Sequence, residues 1–193
     1  ANHVRCYLMK KERITLNLNE WFKKGMSEEV YIKSMQVNKD KMLSIYEKYS
    51  LQDVASAHSL REQKLRAIIL TADWCGDAMV NLPIFIKIAK EAQIKAAYLS
   101  RDENLTLMDQ YLTNGTARSI PIIIFIDENG NEVLKWGPRA QQVQVIADAQ
   151  KACLPEKDSE QYEAAFKDYI RNMTKLYTTD SSIWKTIEDD LLT

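Results

Sequence analysis

The amino-acid sequence predicts an α/β protein, a mixed central sheet flanked by helices, with helical extensions at both ends. Three observations lead there. L-R-A-I-I-L at 65–70, I-K-A-A-Y-L-S at 94–100 and P-I-I-I-F-I at 121–126 are short apolar runs bounded by polar sequence, as buried strands are. Helical periodicity fills the intervals between them. Asn129-Gly130 then joins P-I-I-I-F-I to E-V-L-K-W at 132–136, and this pair accepts the positive φ angles of a hairpin turn.

Taken in order, residues 17–64 read as helical. Asn17 or Asn19 caps a first segment that Gly25 ends, and Ser27 followed by Glu28 and Glu29 begins another. Tyr31, Ile32, Met35, Met42, Ile45, Tyr46 and Tyr49 then recur at helical spacing. After the strand at 65–70 comes a turn holding Cys75, and a helix over 76–92 whose Val80, Leu82, Phe85, Ile86, Ile88 and Ala89 face a core. The strand at 94–100 leads to a segment in which Asp102 or Asn104 caps a helix ending near Gly115. The hairpin follows, Gly137 and Pro138 stop its second strand, and 139–152 continue as helix. The order β-α-β-α-β-β-α over about 65–153 calls for a mixed sheet with helices on its faces. Beyond Pro155, a stripe of Tyr162, Phe166, Tyr169, Ile170, Met173 and Tyr177 marks one helix, and Ile183, Trp184, Ile187 and Leu191 a last short one. The expected organisation is residues 1–64 as an N-terminal helical extension, 65–153 as core and 154–193 as a C-terminal helical extension, forming one compact unit.

The 193 residues, 46% hydrophobic and 27% charged, suit one domain with appendages. Lys plus Arg number 26 against 27 Asp plus Glu, and a net charge of -1 offers no footprint for nucleic acid or an anionic membrane. No apolar run is long enough for a membrane span, and A-N-H-V-R-C-Y-L-M-K lacks the apolar stretch of a secretory signal, so a cytoplasmic location is expected. Cys6, Cys75 and Cys153 are widely spaced and form neither a disulfide framework nor a metal-ligand pattern. No metal and no bound cofactor are expected. His3 and His58 have no companion ligands and read as surface or packing residues.

The stretch T-A-D-W-C-G-D-A-M-V-N-L-P at 71–83 carries the chemistry. Trp74-Cys75-Gly76 resembles the start of the W-C-G-P-C site of the thioredoxin superfamily, placed between the first core strand and the following helix. Pro83, eight residues after Cys75, falls where that family has a kinking proline, and Arg118-Ser119-Ile120-Pro121 is similar to the R-G-I-P that contains its cis-proline. Gly137 follows the hairpin strand, as a family glycine does. W-C-G-D, R-D-E-N-L, L-M-D-Q-Y-L-T-N-G and W-G-P-R further resemble a bacterial thioredoxin-like branch whose site reads W-C-G-D-C or W-C-G-D-A. The resemblance covers roughly residues 65–153 and departs from the family twice. Ala78 stands where the resolving cysteine would be, and Ile69 where a buried aspartate assists proton transfer. Reduction of substrates through an internal C-x-x-C disulfide is therefore excluded.

A cysteine at a helix start faces unsatisfied N–H groups and the positive end of the dipole, which favours thiolate. Cys75 has that placement and is expected to be accessible. Trp74 shields one side of it, Gly76 admits a partner backbone, and Asp77 opposes the helix by raising the thiol's pKa. A cis Pro121, as the resemblance implies, leaves Ile120 free to pair with an extended substrate segment, and Arg118 and Arg139 are expected to bring positive charge to the rim. Asp73, Asp77, Arg118 and Arg139 stand equally well as solvated surface, Trp74 and the Tyr162–Tyr177 stripe as packing, and Cys6 and Cys153 as inert thiols. With Cys75 alone, exchange stops at a mixed disulfide until an outside thiol resolves it. The leading expectation is monothiol exchange with a protein disulfide or small-thiol adduct, a low-molecular-weight thiol being co-substrate. The alternatives are a non-catalytic binding or scaffolding module and a redox sensor. The sequence assigns no oligomeric state.

Overall fold

A computed structural model describes residues 18–193. Four strands, β1 Arg66–Thr71, β2 Lys95–Ser100, β3 Ile122–Ile126 and β4 Glu132–Trp136, form one sheet in the order β2-β1-β3-β4. β1 and β2 run parallel, while β1–β3 and β3–β4 are antiparallel. The two central strands are apolar at nearly every position and buried on both faces, which is why they read as continuous runs rather than alternating ones. β4 is the exposed edge. The opposite edge is covered by a two-way backbone bridge between Met26 and Tyr98, each N–H donating to the other's carbonyl at 2.8 Å, and by Tyr31 stacked on Tyr98 at 5.0 Å.

The helix α5, Gly76–Ala92, contains Pro83 and is buried along most of its length; against it pack α3 Lys39–Lys48, α4 Val54–Ser59 and the last helix, α9 Ser181–Leu192. α1 Leu18–Lys24 and α2 Glu28–Ser34 lie against β2. α7 Gln141–Lys151 and α8 Tyr162–Thr179 complete the C-terminal part, and α6 is a single turn at Leu105–Met108. Among the described residues no helix is long and apolar enough to cross a membrane, and no cluster of three metal-ligating side chains occurs.

Two segments depart from the sequence expectation. The break at Gly25 is as expected, but the helical stretch begun at Ser27 is three short helices and a 3-10 turn at Leu60–Gln63. Ser27 caps α2 through Val30 N–H as expected, whereas Asn19 lies inside α1 and spends its amide on Asn129 O and its carbonyl on Arg66. Asn17, like His3 and Cys6, lies outside the described residues. The second departure follows β2. The helix expected to reach Gly115 stops at Met108, because Thr113 and Ala117 bridge across a turn in which Asn114 and Gly115 take φ of 52° and 72°.

Distant carboxylates interrupt the N-terminal helices. Asp73 accepts the N–H groups of Gln36 and Val37, at 2.8 and 3.1 Å, in the gap between α2 and α3. Glu188 on α9, fully buried, accepts Gln52 N–H at 2.7 Å, Asp53 N–H at 3.1 Å, the Tyr49 hydroxyl at 2.5 Å and the Lys185 ammonium at 3.2 Å. Burial pushes its carboxyl upward, but these donors outweigh it and hold the pKa below the ordinary glutamate value. At Gly137 a third constraint operates. Its φ is 122°, and a Cβ there would overlap the Pro121 carbonyl oxygen, so the crossing after β4 requires glycine.

Two outcomes follow. Glu188→Gln lowers unfolding free energy in urea by about 2 kcal/mol. Because the folded pKa of Glu188 is depressed, its contribution is complete above the ordinary glutamate pKa and drains as pH falls through the folded value, so the difference from wild type shrinks in acid; parallel pH curves would contradict this. Gly137→Ala costs more than about 1 kcal/mol, whereas Gly76→Ala, with no atom within 4 Å of the added methyl, is tolerated.

Candidate active site around Cys75

Cys75 follows β1 through a turn closed by its N–H on Ala72 O and occupies the N-cap of α5, with φ −83° and ψ 121°. Its Sγ accepts the Ala78 N–H at 3.4 Å, and its S–H donates to Ile120 O at 3.4 Å. The Ile120–Pro121 peptide is cis. The sulfur is thus held between the start of one helix and the residue that leads into β3. Asn81, one turn further along α5 and buried, donates to Pro138 O at 3.0 Å and ties the helix to the Gly137–Pro138 crossing. Ile69 is fully buried in β1, so no carboxylate underlies the thiol at that position.

The expectation of an accessible cysteine is corrected, and the opposition between the helix start and Asp77 resolves toward the thiol. Cys75 is only 8% exposed, and its pKa is raised: burial is the largest cause and the Asp77 charge adds to it, outweighing the Ala78 and Asp77 N–H groups and Arg139. The sequence pattern placed the helix dipole correctly but gave no sign of how deeply the sulfur sits, or that α8 stands across a groove from it. A groove of about 330 Å³ opens above Cys75, bounded on one side by Trp74, Gly76, Asp77 and Arg139 and on the other by Phe166, Tyr169, Ile170, Met173 and Tyr177, with Lys151 at its rim. Trp74 (50%), Phe166 (38%) and Ile170 (48%) are exposed there, so the Tyr/Met stripe both packs and presents an apolar wall beside the thiol.

The charged candidates separate into two groups. Asp77 and Arg139 come together: Oδ1 and Oδ2 of Asp77 accept Arg139 Nε and Nη2 at 2.8 and 2.7 Å, both side chains largely buried. Tyr177 Oη donates to Asp77 Oδ1 at 2.7 Å. Burial opposes the Arg139 charge, but Asp77 more than compensates and raises its pKa, while burial and the Asp77 charge keep Tyr177 a phenol. Tyr177 was missed as a site residue because it lies 100 positions from Asp77 and reads as one more member of a packing stripe. Arg118 and Asp73 are engaged elsewhere. Arg118 forms a two-point pair with Asp109 at 2.8 and 3.1 Å, and Asp73 serves the α2–α3 gap. Arg101, which the sequence did not single out, lays its guanidinium 4.7 Å from the centre of the Trp74 ring. Of the other described residues, His58 pairs with Glu91 on the surface and Cys153 is exposed.

Comparison with known proteins adds a family. A family model described as thioredoxin matches residues 25–152, two-thirds of the chain, leaving α8 and α9 outside the match. No curated protein matches. Among solved structures, an HIV epitope-scaffold is 17% identical with a TM-score of 0.59, covering 89% of this chain and 97% of its own. A protein of unknown function from Pseudomonas aeruginosa is 20% identical with a TM-score of 0.58, covering 89% and 96%. Both share the fold over nearly their whole length. A Fasciola hepatica thioredoxin is 22% identical over 51% of this chain and 90% of its own, with a TM-score of 0.33. The sheet order, the cysteine-capped helix and the extent of the family match lead to one conclusion: this chain belongs to the thioredoxin family.

Proposed function

We propose that the protein carries out monothiol thiol–disulfide exchange through Cys75, resolved by an external small thiol. The observation that carries this reading is the placement of Sγ, bonded to the Ala78 N–H of the helix start and to Ile120 O, at the floor of an open groove. Cys75 loses its proton to solvent, and the thiolate attacks one sulfur of a disulfide. The S–S bond breaks, the departing sulfur takes up a proton, and Cys75 is left in a mixed disulfide. Ala78 offers no second thiol, so a thiolate from outside attacks the Cys75 sulfur-bound partner and releases Cys75 reduced. Ile120 and Pro121 form the ledge on which an extended substrate segment pairs, with Trp74 and Gly76 flanking the sulfur. In this reading W-C-G-D-A is the natural form of the site in a bacterial branch, residues 154–193 are an extension that walls it, and the chain works in a reducing cytoplasm.

A second reading, a binding module that keeps the fold without turnover, draws support from the burial and raised pKa of the thiol. Slow attack follows from that pKa, because only the thiolate is nucleophilic. The two readings diverge on one adduct. Reduced protein incubated with glutathione disulfide or bacillithiol disulfide forms a mixed disulfide mapped to Cys75 by mass spectrometry, absent in Cys75→Ser and reversed by the free thiol. A protein that takes no such adduct from neutral to alkaline pH, yet keeps its biological activity as Cys75→Ser, is a binding module. The rate of Cys75 alkylation is expected to rise with a midpoint above the ordinary cysteine range, about 8.5; a midpoint well below it would contradict the geometry.

A further inference from the structure

We infer that Tyr177, on the helix outside the family match, is a positioning residue for Cys75. It acts through Asp77, so that α8 sets the charge the sulfur faces. The carboxylate of Asp77, two residues beyond the thiol, receives three hydrogen bonds from two separate elements: two from Arg139, which precedes α7, and one from Tyr177 on α8. Oδ1 is shared by Arg139 Nε and the Tyr177 hydroxyl. Donors on a carboxylate draw its charge into the bonds and fix its position, so less negative potential reaches a neighbouring group. Tyr177 is itself buried, and its ring packs in the same groove wall as Met173. The indole of Trp184 donates to Tyr177 O at 2.8 Å, which anchors the end of α8 against α9. The hydroxyl is therefore held on Asp77 by the packing of both C-terminal helices.

The other titratable and charged groups around the thiol are accounted for. Asp73 is held by two backbone N–H groups, and Arg101 lies on Trp74. Tyr31 on α2 and Tyr169 on α8 are pushed upward chiefly by burial and remain neutral, and Lys151 sits over the Tyr169 ring. Asp77 is the carboxylate of α5's first turn, and the Tyr177 hydroxyl is the hydrogen bond by which α8 engages it.

The inference rests on the monothiol reading for its consequence in exchange, but its test does not. In the chain carrying Cys6→Ser and Cys153→Ser, the pH dependence of iodoacetamide alkylation reads Cys75 ionisation whether or not the thiol exchanges. Tyr177→Phe keeps the ring and removes one donor from Asp77. It is expected to move the midpoint to higher pH and slow alkylation at neutral pH about threefold. Asp77→Asn is expected to move the midpoint down and speed alkylation about tenfold. Leu176→Met, on the same helix but outside the groove lining and without a bond to Asp77, leaves the midpoint in place. A Tyr177→Phe profile that superimposes on wild type, or a Leu176→Met profile that moves as far, overturns the inference. Should Asp77→Asn not fold, the Tyr177→Phe and Leu176→Met comparison decides alone. A wild-type protein that alkylates at Cys75 but takes no disulfide adduct overturns the functional reading and leaves this one standing.

Discussion

The site depends on a sulfur held at two points, with the Ala78 N–H in the first turn of α5 on one side and the Ile120 carbonyl on the other. A helix N-terminus favours a thiolate there, and a carbonyl favours a thiol, because only S–H can donate to it. Burial tips the balance toward the thiol. The molecule therefore keeps the architecture of a reactive cysteine in an environment that holds its reactivity back. A docked partner that displaced the thiol's contact with Ile120 O, by pairing with that backbone, would remove one interaction that favours the thiol.

The constraints that shape the site reach across long sequence separations, and most are carboxylates accepting hydrogen bonds from distant parts of the chain. Asp73 and Glu188 each take two backbone N–H groups left free between short helices, which joins the N-terminal segment to the sheet turn and to the last helix. Asp77 performs the corresponding task at the start of α5, with side-chain donors in place of backbone ones. Glu188, the fully buried one, would be costly to bury alone, and each of the three acids is held by multiple donors. Together they bind the parts of the chain outside the sheet to the parts that position Cys75.

Much of this was legible in the sequence where local chemistry decides. P-I-I-I-F-I, the helix from Gly76 and the Gly137 stop sit where pattern placed them, because apolar runs and turn residues act over a few positions; the hairpin also forms, but its turn closes Gly130 N–H on Asp127 O, and of the Asn129-Gly130 pair only Gly130 takes a positive φ. The hairpin is reinforced by Asp127, which accepts the N–H groups of Asn129 and Asn131 at 2.9 Å each. What was not legible depends on contacts between distant positions. Helical periodicity through Met35 to Met42 gave no sign that Asp73 would claim the intervening amides, and nothing near Asp102 foretold the bridged turn at Thr113–Ala117. At the site, Trp74-Cys75-Gly76 marked the sulfur and its helix. The burial of Cys75, the pairing of Asp77 with Arg139 and the arrival of Tyr177 from α8 come from tertiary packing, which a single sequence does not encode locally.

The most direct test of Cys75 as a monothiol exchange site uses an aromatic disulfide. Reduced protein carrying Cys6→Ser and Cys153→Ser, treated with dithiobis(nitrobenzoate), should release one equivalent of thionitrobenzoate slowly and hold the second on Cys75. Added glutathione should then release that second equivalent and restore the free thiol. A Cys75 that stays unmodified while the protein remains folded, or an adduct that free thiol does not remove, would contradict the account.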